Sequence, residues 1–374
     1  MPPLVIDLRA AEDTRDVVHR AVQALAEGKL VVFPTETVYG VAARALDPEA
    51  VAHLTKLKGR KAGHPLTLAI RSPEEAFDYA PDMSPMARRL ARRCWPGPVT
   101  LVVDDSHPES VIHRLPKAVG KAVSPRDTVG LRVPGHPIVL DVLQMVAGPL
   151  ALSSANRRGG RDACTASEAI GALRDEVALV LDDGPSRFGQ PSTVVRVIGD
   201  TYQVLRRGAV PEKTIRRLTS LLVLFVCTGN TCRSPMAEVL CRRTLAERLG
   251  CRSDELEERG TIVMSAGMAA MPGGRAAPEA IQVMSELGLD LSPHETQPLT
   301  EPLVRQADLI LTMTESQRQA LVSQWPGAAA RTKVLSCSGA DIADPIGGPI
   351  ERYQRCAEQI DRELRAWVEQ WTGH

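Results

Sequence analysis

The chain has 374 residues, of which 44% are hydrophobic and 24% charged, and its 45 basic residues balance its 45 acidic ones. One hydrophobic core seldom serves so long a chain, so the length predicts two domains. The balanced charge gives no net field that would require a nucleic acid or a membrane as partner.

The N-terminus and the cysteines bear on the compartment. The opening "MPPLVIDLRAAED" reaches charged residues within seven positions, which is unlike a signal peptide. No apolar run approaches the ~20 residues that a membrane helix needs. The eight cysteines have neither the spacing of a disulfide scaffold nor a Cys-x-x-Cys pair. We therefore expect a cytoplasmic protein with free thiols and no membrane partner.

Residues 1–210 alternate short β-branched runs with helical patterns, which predicts an α/β domain with a large twisted sheet. The clearest helix is "DTRDVVHRAVQALAEG", with an Asp cap, apolar residues spaced by three and four, and a Gly stop. The predicted strands, in chain order, are "KLVVFPT", "PLTLAI", "VTLVV", "VGLRVP", "PLALSS", "VALVLD" and "STVVRVI".

Polar and cationic segments border several of these elements. Small hydroxyls at the carboxyl end of a strand are well placed for a ligand, because α/β sheets bind ligands there. No Walker-type Gly-rich loop is present, so scattered Lys, Arg and Ser residues would have to hold any nucleotide. The segments are "FPTETVYG" (33–40), "KLKGRK" (56–61), Arg132 in "VGLRVP", "SSAN" (153–156), "PSTVV" (191–195) and Arg206 in "QVLRRG".

Together these segments resemble the YrdC-like threonylcarbamoyl-AMP synthase family over about residues 12–210. The resemblance rests on "PTETVYG", the Lys-x-Arg of Lys58 and Arg60, "WPGPVT", "GLRVPGHP", the Ser-x-Asn of Ser154 and Asn156, and "STVV" followed by "LRRGAV". It implies condensation of L-threonine, bicarbonate and ATP into threonylcarbamoyl-AMP and pyrophosphate, for a tRNA modification at A37.

The same resemblance assigns site residues. Several cations would offset the triphosphate charge while a carbamate oxygen attacks the α-phosphorus in line. Mg²⁺ would accompany the ATP substrate. The implied threonine contacts are Thr35, Arg132 and Ser192, and the implied ATP contacts are Lys58, Arg60, Thr128, Ser154, Asn156 and Arg206.

The chain departs from the family pattern in three places, one of which is Arg196 after "STVV", where an acidic residue often follows. The segment "RRGGRDAC" puts Asp162 where a nucleotide-contacting Ser is expected, and Arg207 stands where the family often has Pro. An acid near phosphates is unfavourable unless a metal ion bridges it. A non-catalytic RNA- or nucleotide-binding domain is therefore an alternative to the synthase. Arg157, Arg158 and Arg161 would add to the basic surface that RNA needs.

A second domain is predicted from Leu221 onward. The polar, Pro-containing segment 211–220 reads as a linker, and "LLVLFV" then begins a continuous apolar strand. Further strands ("GTIVMSAG", "ADLILTMT") alternate with helices ("SPMAEVLCRRTLAERLG", "PEAIQVMSELG", "PIERYQRCAEQIDRELRAWVEQW"). The alternation predicts a small doubly wound parallel sheet over residues 221–374.

The stretch "LFVCTGNTCRSP" joins the first of these strands to a helix through a tight loop. Backbone N–H groups of residues 228–233 can converge on one anion, helped by the helix N-terminus. The same positive field makes Cys227 a candidate nucleophile. Arg233 offers a planar fork for phosphoryl oxygens, and Ser234 can donate a hydrogen bond to the sulfur. Downstream, "DIADPIGG" supplies Asp344 as an acid for the leaving group.

This segment resembles the low-molecular-weight protein tyrosine phosphatase family over residues 221 to about 372, on "CTGNTCRSP", "SAG" (265–267) and Asp344–Pro345. The resemblance implies Cys227 as phosphoryl acceptor, Arg233 as phosphate clamp and Asp344 as acid and then base, acting on phosphorylated proteins. No metal is implied. The supporting loop residues are Thr228, Gly229, Asn230, Thr231, Cys232 and Ser234.

The substrate is a finer question. Tyrosine-specific members usually have Ile or Leu at the position of Thr231, and aromatic residues after Asp-Pro that stack on the phenyl ring. Here Ile346 and Gly347 follow Asp344–Pro345. Thr231 resembles the protein arginine phosphatase branch, so phosphoarginine is favoured over phosphotyrosine.

Two further readings concern the cysteines. Arsenate reduction on this scaffold needs two more redox cysteines close together, and the 19-residue separation of Cys337 and Cys356 counts against it. Cys232 either forms a protective disulfide with Cys227 under oxidation or only packs in the core.

Overall fold

The computed structural model describes residues 2–59 and 64–372, with side chains up to residue 369. The chain divides into two compact units, Met1–Leu218 and Thr219–His374. No helix within the described ranges is long and apolar enough to cross a membrane.

The first unit is built on a ten-stranded mixed sheet with the order β1-β8-β2-β3-β7-β4-β6-β5-β9-β10. Its central strands are buried on both faces, which explains their continuous apolar sequences. The strands are β1 (Leu4–Asp7), β2 (Val31–Phe33), β3 (Gly40–Arg44), β4 (Thr67–Ala69), β5 (Val99–Asp104), β6 (Thr128–Arg132), β7 (Leu150–Ser154), β8 (Leu179–Asp182), β9 (Thr193–Ile198) and β10 (Thr201–Arg206).

Helices cover this sheet and bury its two faces in separate apolar clusters. Alternate residues of β2 show the division, since Val32 belongs to one cluster while Val31 and Phe33 belong to the other. The helices are α1 (Thr14–Ala26), α2 (Pro48–Leu57), α3 (Ala76–Tyr79), α4 (Pro85–Cys94), α5 (Lys117–Val123), α6 (Pro137–Met145), α7 (Ala166–Leu173) and α8 (Glu212–Thr219).

The segment 211–220 is not the linker that the sequence suggested, because most of it forms α8. Ile215 in this helix is fully buried and joins a core cluster of the first unit. Leu218 packs against the same cluster, and the other six residues of the helix are charged or polar, so the composition is polar although one face is buried.

The second unit contains a four-stranded, entirely parallel sheet with the order β12-β11-β13-β14. Alternate residues of the first strand enter two cores, Val223 and Phe225 on one side and Leu222 and Leu224 on the other. The predicted doubly wound sheet is confirmed. Its strands are β11 (Leu221–Cys227), β12 (Thr261–Gly267), β13 (Leu309–Thr312) and β14 (Thr332–Val334).

Helices lie on both faces of this sheet, and α9 follows the sequence pattern closely. It begins at Arg233 and ends before Gly250, whose left-handed backbone (φ 60°) caps it as the Gly stop predicted. The helices are α9 (Arg233–Leu249), α10 (Pro278–Glu286), α11 (Glu301–Gln306), α12 (Glu315–Gln324) and α13 (Ile350–Thr372).

Asp105, just after β5, gives a stability prediction. Its side chain is 1% exposed, and neither carboxylate oxygen has a hydrogen-bond partner among the described residues. Burial raises the pKa of this carboxyl, since it disfavours the charged form. The contribution of protonated Asp105 to stability is fully present below the pKa that this carboxyl has in the unfolded chain. It is lost as the pH rises through the pKa that the carboxyl has in the folded protein. Asp105→Asn should therefore raise the free energy of unfolding by about 1 kcal/mol at pH 7.

The gain should shrink as the pH is lowered from 7 to 4, because the raised pKa favours protonation of Asp105 in the folded state and protonation removes the buried charge. Urea denaturation at both pH values measures it. A gain of equal size at both pH values, or a loss at pH 7, would contradict a buried ionised carboxylate.

Candidate active sites

A cleft lined largely by polar residues lies over the first sheet. Five predicted residues line it: Thr35, Arg132, Ser154, Ser192 and Arg206. The sequence reading assigned no contact to four other polar residues of the lining, Thr37, Thr67, Thr100 and Ser153.

The loop between β2 and β3 carries Thr35 into the cleft. The Thr35 hydroxyl donates to the carbonyl of Val38 at 2.6 Å and accepts the backbone N–H groups of Thr37 and Val38 at 3.2 and 3.3 Å. Its single proton is thus used, so the Thr37 hydroxyl, 2.9 Å away, is the donor between the two side chains. These bonds fix both hydroxyls at the cleft wall.

Arg132, at the end of β6, is held by a buried carboxylate that the sequence reading did not assign. Its Nη2 donates to Glu36 Oε1 at 2.7 Å and to Thr37 Oγ1 at 2.9 Å, and its Nε donates to the carbonyl of Gly97 at 3.2 Å. The side chains of Arg132 and Glu36 are only 7% and 10% exposed. Glu36 also accepts the backbone N–H of Gly135 at 2.9 Å. The guanidinium orientation is therefore set before any ligand binds.

Arg206 and Ser192 form a second fixed group on the other side of the cleft. Nη2 of Arg206 donates to the Ser192 hydroxyl at 2.9 Å and to its carbonyl at 2.8 Å. The Ser192 hydroxyl lies 2.9 Å from that of Thr100. Burial lowers the pKa of Arg206, the charge of Asp162 opposes this, and the charge of Arg132 adds to it. The unusual Asp162 therefore offsets positive charge at this cleft.

A second cleft shares Ser153 and Ser154 with the first and contains Lys58 and Asn156. The Lys58 ammonium donates to the Ser154 carbonyl at 2.8 Å, to Asn156 Oδ1 at 2.6 Å and to the Asn156 carbonyl. Ser154 Oγ donates to Asn156 Oδ1 at 2.7 Å, and Asn156 Nδ2 donates to the carbonyl of Gly160 at 2.6 Å. Lys58 thus joins the end of α2 to the loop after β7 and brings a positive charge to that loop.

Two predicted ATP contacts cannot be assigned to these clefts from the described residues. Arg60 lies outside the described residues. Thr128 begins β6 whereas Arg132 ends it. At ~3.3 Å per residue the two positions are about 13 Å apart. The described lining of the clefts does not include Thr128. Arg207, another of the family departures, has an 88% exposed side chain paired with Glu212 at 3.4 Å.

In the second unit, the segment between β11 and α9 wraps around the sulfur of Cys227. Cys227 is 3% exposed, and its Sγ lies 3.0 Å from the Ser234 hydroxyl and accepts the backbone N–H of Asn230 at 3.2 Å. Asn230 has a positive φ of 56°, which turns the backbone N–H groups inward. The structure thus places one N–H group of the loop, that of Asn230, on the Cys227 sulfur, and the convergence of the other N–H groups on an anion stays a prediction.

The side chain of Asn230 holds the loop in this conformation. Its Nδ2 donates to the hydroxyls of Ser234 and Ser265, each at 2.9 Å. Its Oδ1 accepts the backbone N–H of Gln297 at 2.9 Å, and its carbonyl lies 2.9 Å from Nε2 of His294. Because Ser234 Oγ accepts from Asn230, its own proton can be donated either to the sulfur at 3.0 Å or to the carbonyl of Ala266 at 3.4 Å. No pattern in the sequence pointed to His294 or Gln297, whereas Ser265 lay in the quoted "SAG".

Arg233 and Asp344 face each other above the loop. Arg233 is 5% exposed, forms an ion pair with Asp344, and donates through Nη1 to the carbonyl of Ile342 at 3.2 Å. The Asp344 side chain is 43% exposed, so it is open to solvent while it contacts the clamp. The structure thus gathers Cys227, Arg233, Ser234 and Asp344 in one site.

Thr231 and Cys232 are the last two residues of the loop before α9. The Cys232 sulfur lies 3.5 Å from the Thr231 hydroxyl and 3.8 Å from the hydroxyl of buried Tyr353. Burial raises the pKa of the Cys232 thiol, so the protonated form is favoured. In the rim loop, Ile346 is 63% exposed. The aliphatic residue after Asp344–Pro345 therefore stands at the surface, where a phosphotyrosine site would present an aromatic ring.

Gly267, at the end of β12, permits the close approach of the loop. A Cβ at this position would lie 2.7 Å from the Thr228 carbonyl oxygen and 2.9 Å from the Asn230 nitrogen. Gly267→Ala should therefore displace the loop, lowering phosphatase kcat/KM by on the order of 10²-fold. Gly327→Ala is the matched control, since nothing lies within 4 Å of its added Cβ. Equal activity of the two variants in a small phosphate-ester assay would contradict the predicted crowding.

Comparison with known families gives one family for each unit. The Sua5/YciO/YrdC family model, described as "telomere recombination", matches residues 23–208. The model described as "low molecular weight phosphotyrosine protein phosphatase" matches residues 222–372. These matches define an α/β synthase-type domain followed by a cysteine phosphatase domain.

Individual relatives point the same way. A putative threonylcarbamoyl-AMP synthase of Mycobacterium tuberculosis is 40% identical over 195 residues, covering 52% of this chain and 85% of that protein. A protein-arginine-phosphatase of Bacillus subtilis is 39% identical over 154 residues, covering 40% of this chain and 95% of that protein. The chain belongs to the Sua5/YrdC threonylcarbamoyl-AMP synthase family in its first unit and to the low-molecular-weight phosphatase family in its second.

Longer relatives and one solved structure complete the comparison. The threonylcarbamoyl-AMP synthase of Pyrococcus abyssi is 36% identical over 192 residues, and the matched region spans 51% of this chain and 54% of that protein. The crystal structure of P. abyssi Sua5 complexed with L-threonine superposes with a TM-score of 0.51 at 25% identity, covering 70% of this chain and 92% of that one.

Proposed function

We propose that the first unit makes threonylcarbamoyl-AMP from L-threonine, bicarbonate and ATP, for modification of tRNA. The observation that carries the proposal is the fixed orientation of the Arg132 guanidinium, which is hydrogen-bonded to Glu36 and Thr37. The hydroxyls of the Thr35 loop and the Ser192–Arg206 group line the same cleft. A planar guanidinium fits the carboxylate of an amino acid. The related P. abyssi protein was crystallised with L-threonine.

The chemistry follows from these positions. The threonine amine attacks the carbon of bicarbonate, and loss of water leaves a carbamate. A carbamate oxygen then attacks the α-phosphorus of ATP, and the bond to pyrophosphate breaks. Arg206 and the Lys58 loop supply positive charge to the phosphates, and Mg²⁺ bound to ATP would neutralise part of the rest. Asp162 lies near Arg206, where such a metal ion would relieve its repulsion of phosphate.

Pyrophosphate release tests this proposal. The full chain should release pyrophosphate from ATP only when both L-threonine and bicarbonate are present. Nucleotide binding without threonine-dependent release would leave a binding role for this unit and would contradict synthase activity.

For the second unit we propose hydrolysis of phosphoarginine in proteins through a phosphocysteine intermediate. The Cys227 thiolate attacks phosphorus and forms an S–P bond, while the P–N bond breaks and Asp344 protonates the leaving guanidine nitrogen. Water then attacks the phosphocysteine, Asp344 takes a proton from it, and phosphate leaves with Cys227 as thiolate. The Ser234 hydroxyl, whose Oγ lies 3.0 Å from the sulfur, can donate its proton to that thiolate and stabilise it.

Thr231 and the rim support the choice of substrate. The Thr231 hydroxyl lies next to the loop where tyrosine phosphatases usually have an aliphatic side chain, and the guanidine group has N–H donors that a hydroxyl can accept. Exposed Ile346 provides no ring on which a phenyl group could stack. The relative from B. subtilis carries the name protein-arginine-phosphatase.

Trapping the intermediate tests the mechanism. In wild type, a brief reaction with phosphoarginine peptide, quenched with acid during turnover, should leave one phosphoryl group on Cys227 by mass spectrometry. A label on any other residue, or direct turnover in Cys227→Ser, would contradict the covalent route.

A further inference from the structure

A third cleft in the first unit continues the row of clefts described above. It is lined by Asn156 together with Arg157, Arg161 and Arg174. Asn156 also lines the second cleft, which in turn shares Ser153 and Ser154 with the first. One path therefore leads from the Arg132 end through the Lys58 loop to a group of three arginines.

Two of these arginines are free of acidic partners. Arg157 donates through Nε to the carbonyl of Ala172 at 2.9 Å, and its Nη2 lies 4.0 Å from Glu176. In the ranges that the structure describes, no carboxylate lies within 4.0 Å of the guanidinium of Arg161 or Arg174, and both residues are exposed. Guanidinium groups gathered on a concave surface suit a phosphate-bearing anion.

The backbone of Arg174 is a second, independent observation. This residue follows α7 with φ 53° and ψ −131°, a conformation that non-glycine residues rarely adopt. Glycine there would remove the strain, yet the chain has Arg. An alternative reason for Arg at this position is that its positive charge would offset the partial negative charge at the C-terminal end of α7. Arg157 already donates to the carbonyl of Ala172 in the last turn, so that end has a cationic partner.

The class of anion follows from the lining. Single-stranded RNA is commonly bound with bases stacked on aromatic rings, and the described lining of this cleft contains none. Under the proposed synthase reaction, pyrophosphate is the anion that leaves the α-phosphorus beside the Lys58 loop. We propose, on the basis of that function, that Arg157, Arg161 and Arg174 form a subsite for the released pyrophosphate.

Calorimetric titration of the full chain with inorganic pyrophosphate tests the subsite. Arg161→Gln and Arg174→Gly should each weaken pyrophosphate binding roughly tenfold, the effect of losing one charge-assisted hydrogen bond. Affinity for a non-hydrolysable ATP analogue should stay unchanged. Arg174→Gly should also raise the Tm, because the strain is removed, so weaker binding cannot come from unfolding. Arg20→Gln on α1 is the surface control.

Unchanged pyrophosphate affinity in both variants would overturn the subsite. So would weaker binding of an RNA hairpin with unchanged pyrophosphate binding, since that result would assign the arginines to nucleic acid. If wild type shows no threonine-dependent turnover but its pyrophosphate affinity still depends on Arg161 and Arg174, the synthase proposal fails and the anion site stands.

Discussion

Cys227→Ser should abolish hydrolysis of phosphorylated substrates, lowering kcat by at least on the order of 10⁴-fold. The reason is that a serine hydroxyl at this position is a far weaker nucleophile than the thiolate, while the loop around it is retained. Asn230 and Ser234 contact each other directly, so their hydrogen bond does not depend on the sulfur. Steady-state kinetics with a phosphoarginine peptide measures the loss.

Cys337→Ser is the matched control, since Cys337 is exposed. It should keep wild-type kinetics. Residual turnover in Cys227→Ser within tenfold of wild type would exclude Cys227 as the nucleophile. Threonine-dependent pyrophosphate release, measured on the same samples, should be unaffected by either change.

Arg132→Lys should lower kcat/KM for threonine in pyrophosphate release by on the order of 10²-fold. Lysine keeps a positive charge beside buried Glu36, which avoids the cost of a buried unpaired carboxylate. It cannot reproduce the planar fork that Glu36, Thr37 and the Gly97 carbonyl orient. The fold should therefore survive while threonine binding fails.

Arg20→Gln, which breaks the exposed pair between Arg20 and Asp16 on α1, is the control for this variant. It should have no effect on threonine kinetics. A KM for threonine in Arg132→Lys equal to that of wild type would contradict the carboxylate contact. An unchanged circular dichroism spectrum and Tm would show that the first unit is folded, because phosphatase activity reports only on the second unit.

The sequence predicted the parts of the fold that have a strong local signal. All seven strands predicted in the first unit form, because each contains a short apolar run that is buried in the sheet. β1 was missed since its residues are mostly exposed, and β3 was missed because its Gly and Ala residues have weak strand propensity. β10 and the three-residue β14 were also missed.

The site residues also divide into those that have a local sequence signal and those that do not. The phosphate loop is contiguous in sequence, so Cys227, Arg233 and Ser234 could be named from one stretch of chain. The residues that hold it come from distant segments, and His294 reaches Asn230 across 64 positions. In the first unit, Glu36 pairs with Arg132 across 96 positions. Such contacts depend on how strands are ordered in the sheet, and the local sequence carries no signal for that order.

The measurement that most directly tests the substrate of this chain compares kcat/KM for matched phosphoarginine and phosphotyrosine peptides, in wild type and Thr231→Ile. Wild type should prefer phosphoarginine, and Thr231→Ile should reduce that preference about tenfold by removing one hydrogen-bonding group from the site. Equal or faster turnover of phosphotyrosine by wild type, with no effect of Thr231→Ile, would contradict the arginine phosphatase assignment and leave a phosphatase of the tyrosine type.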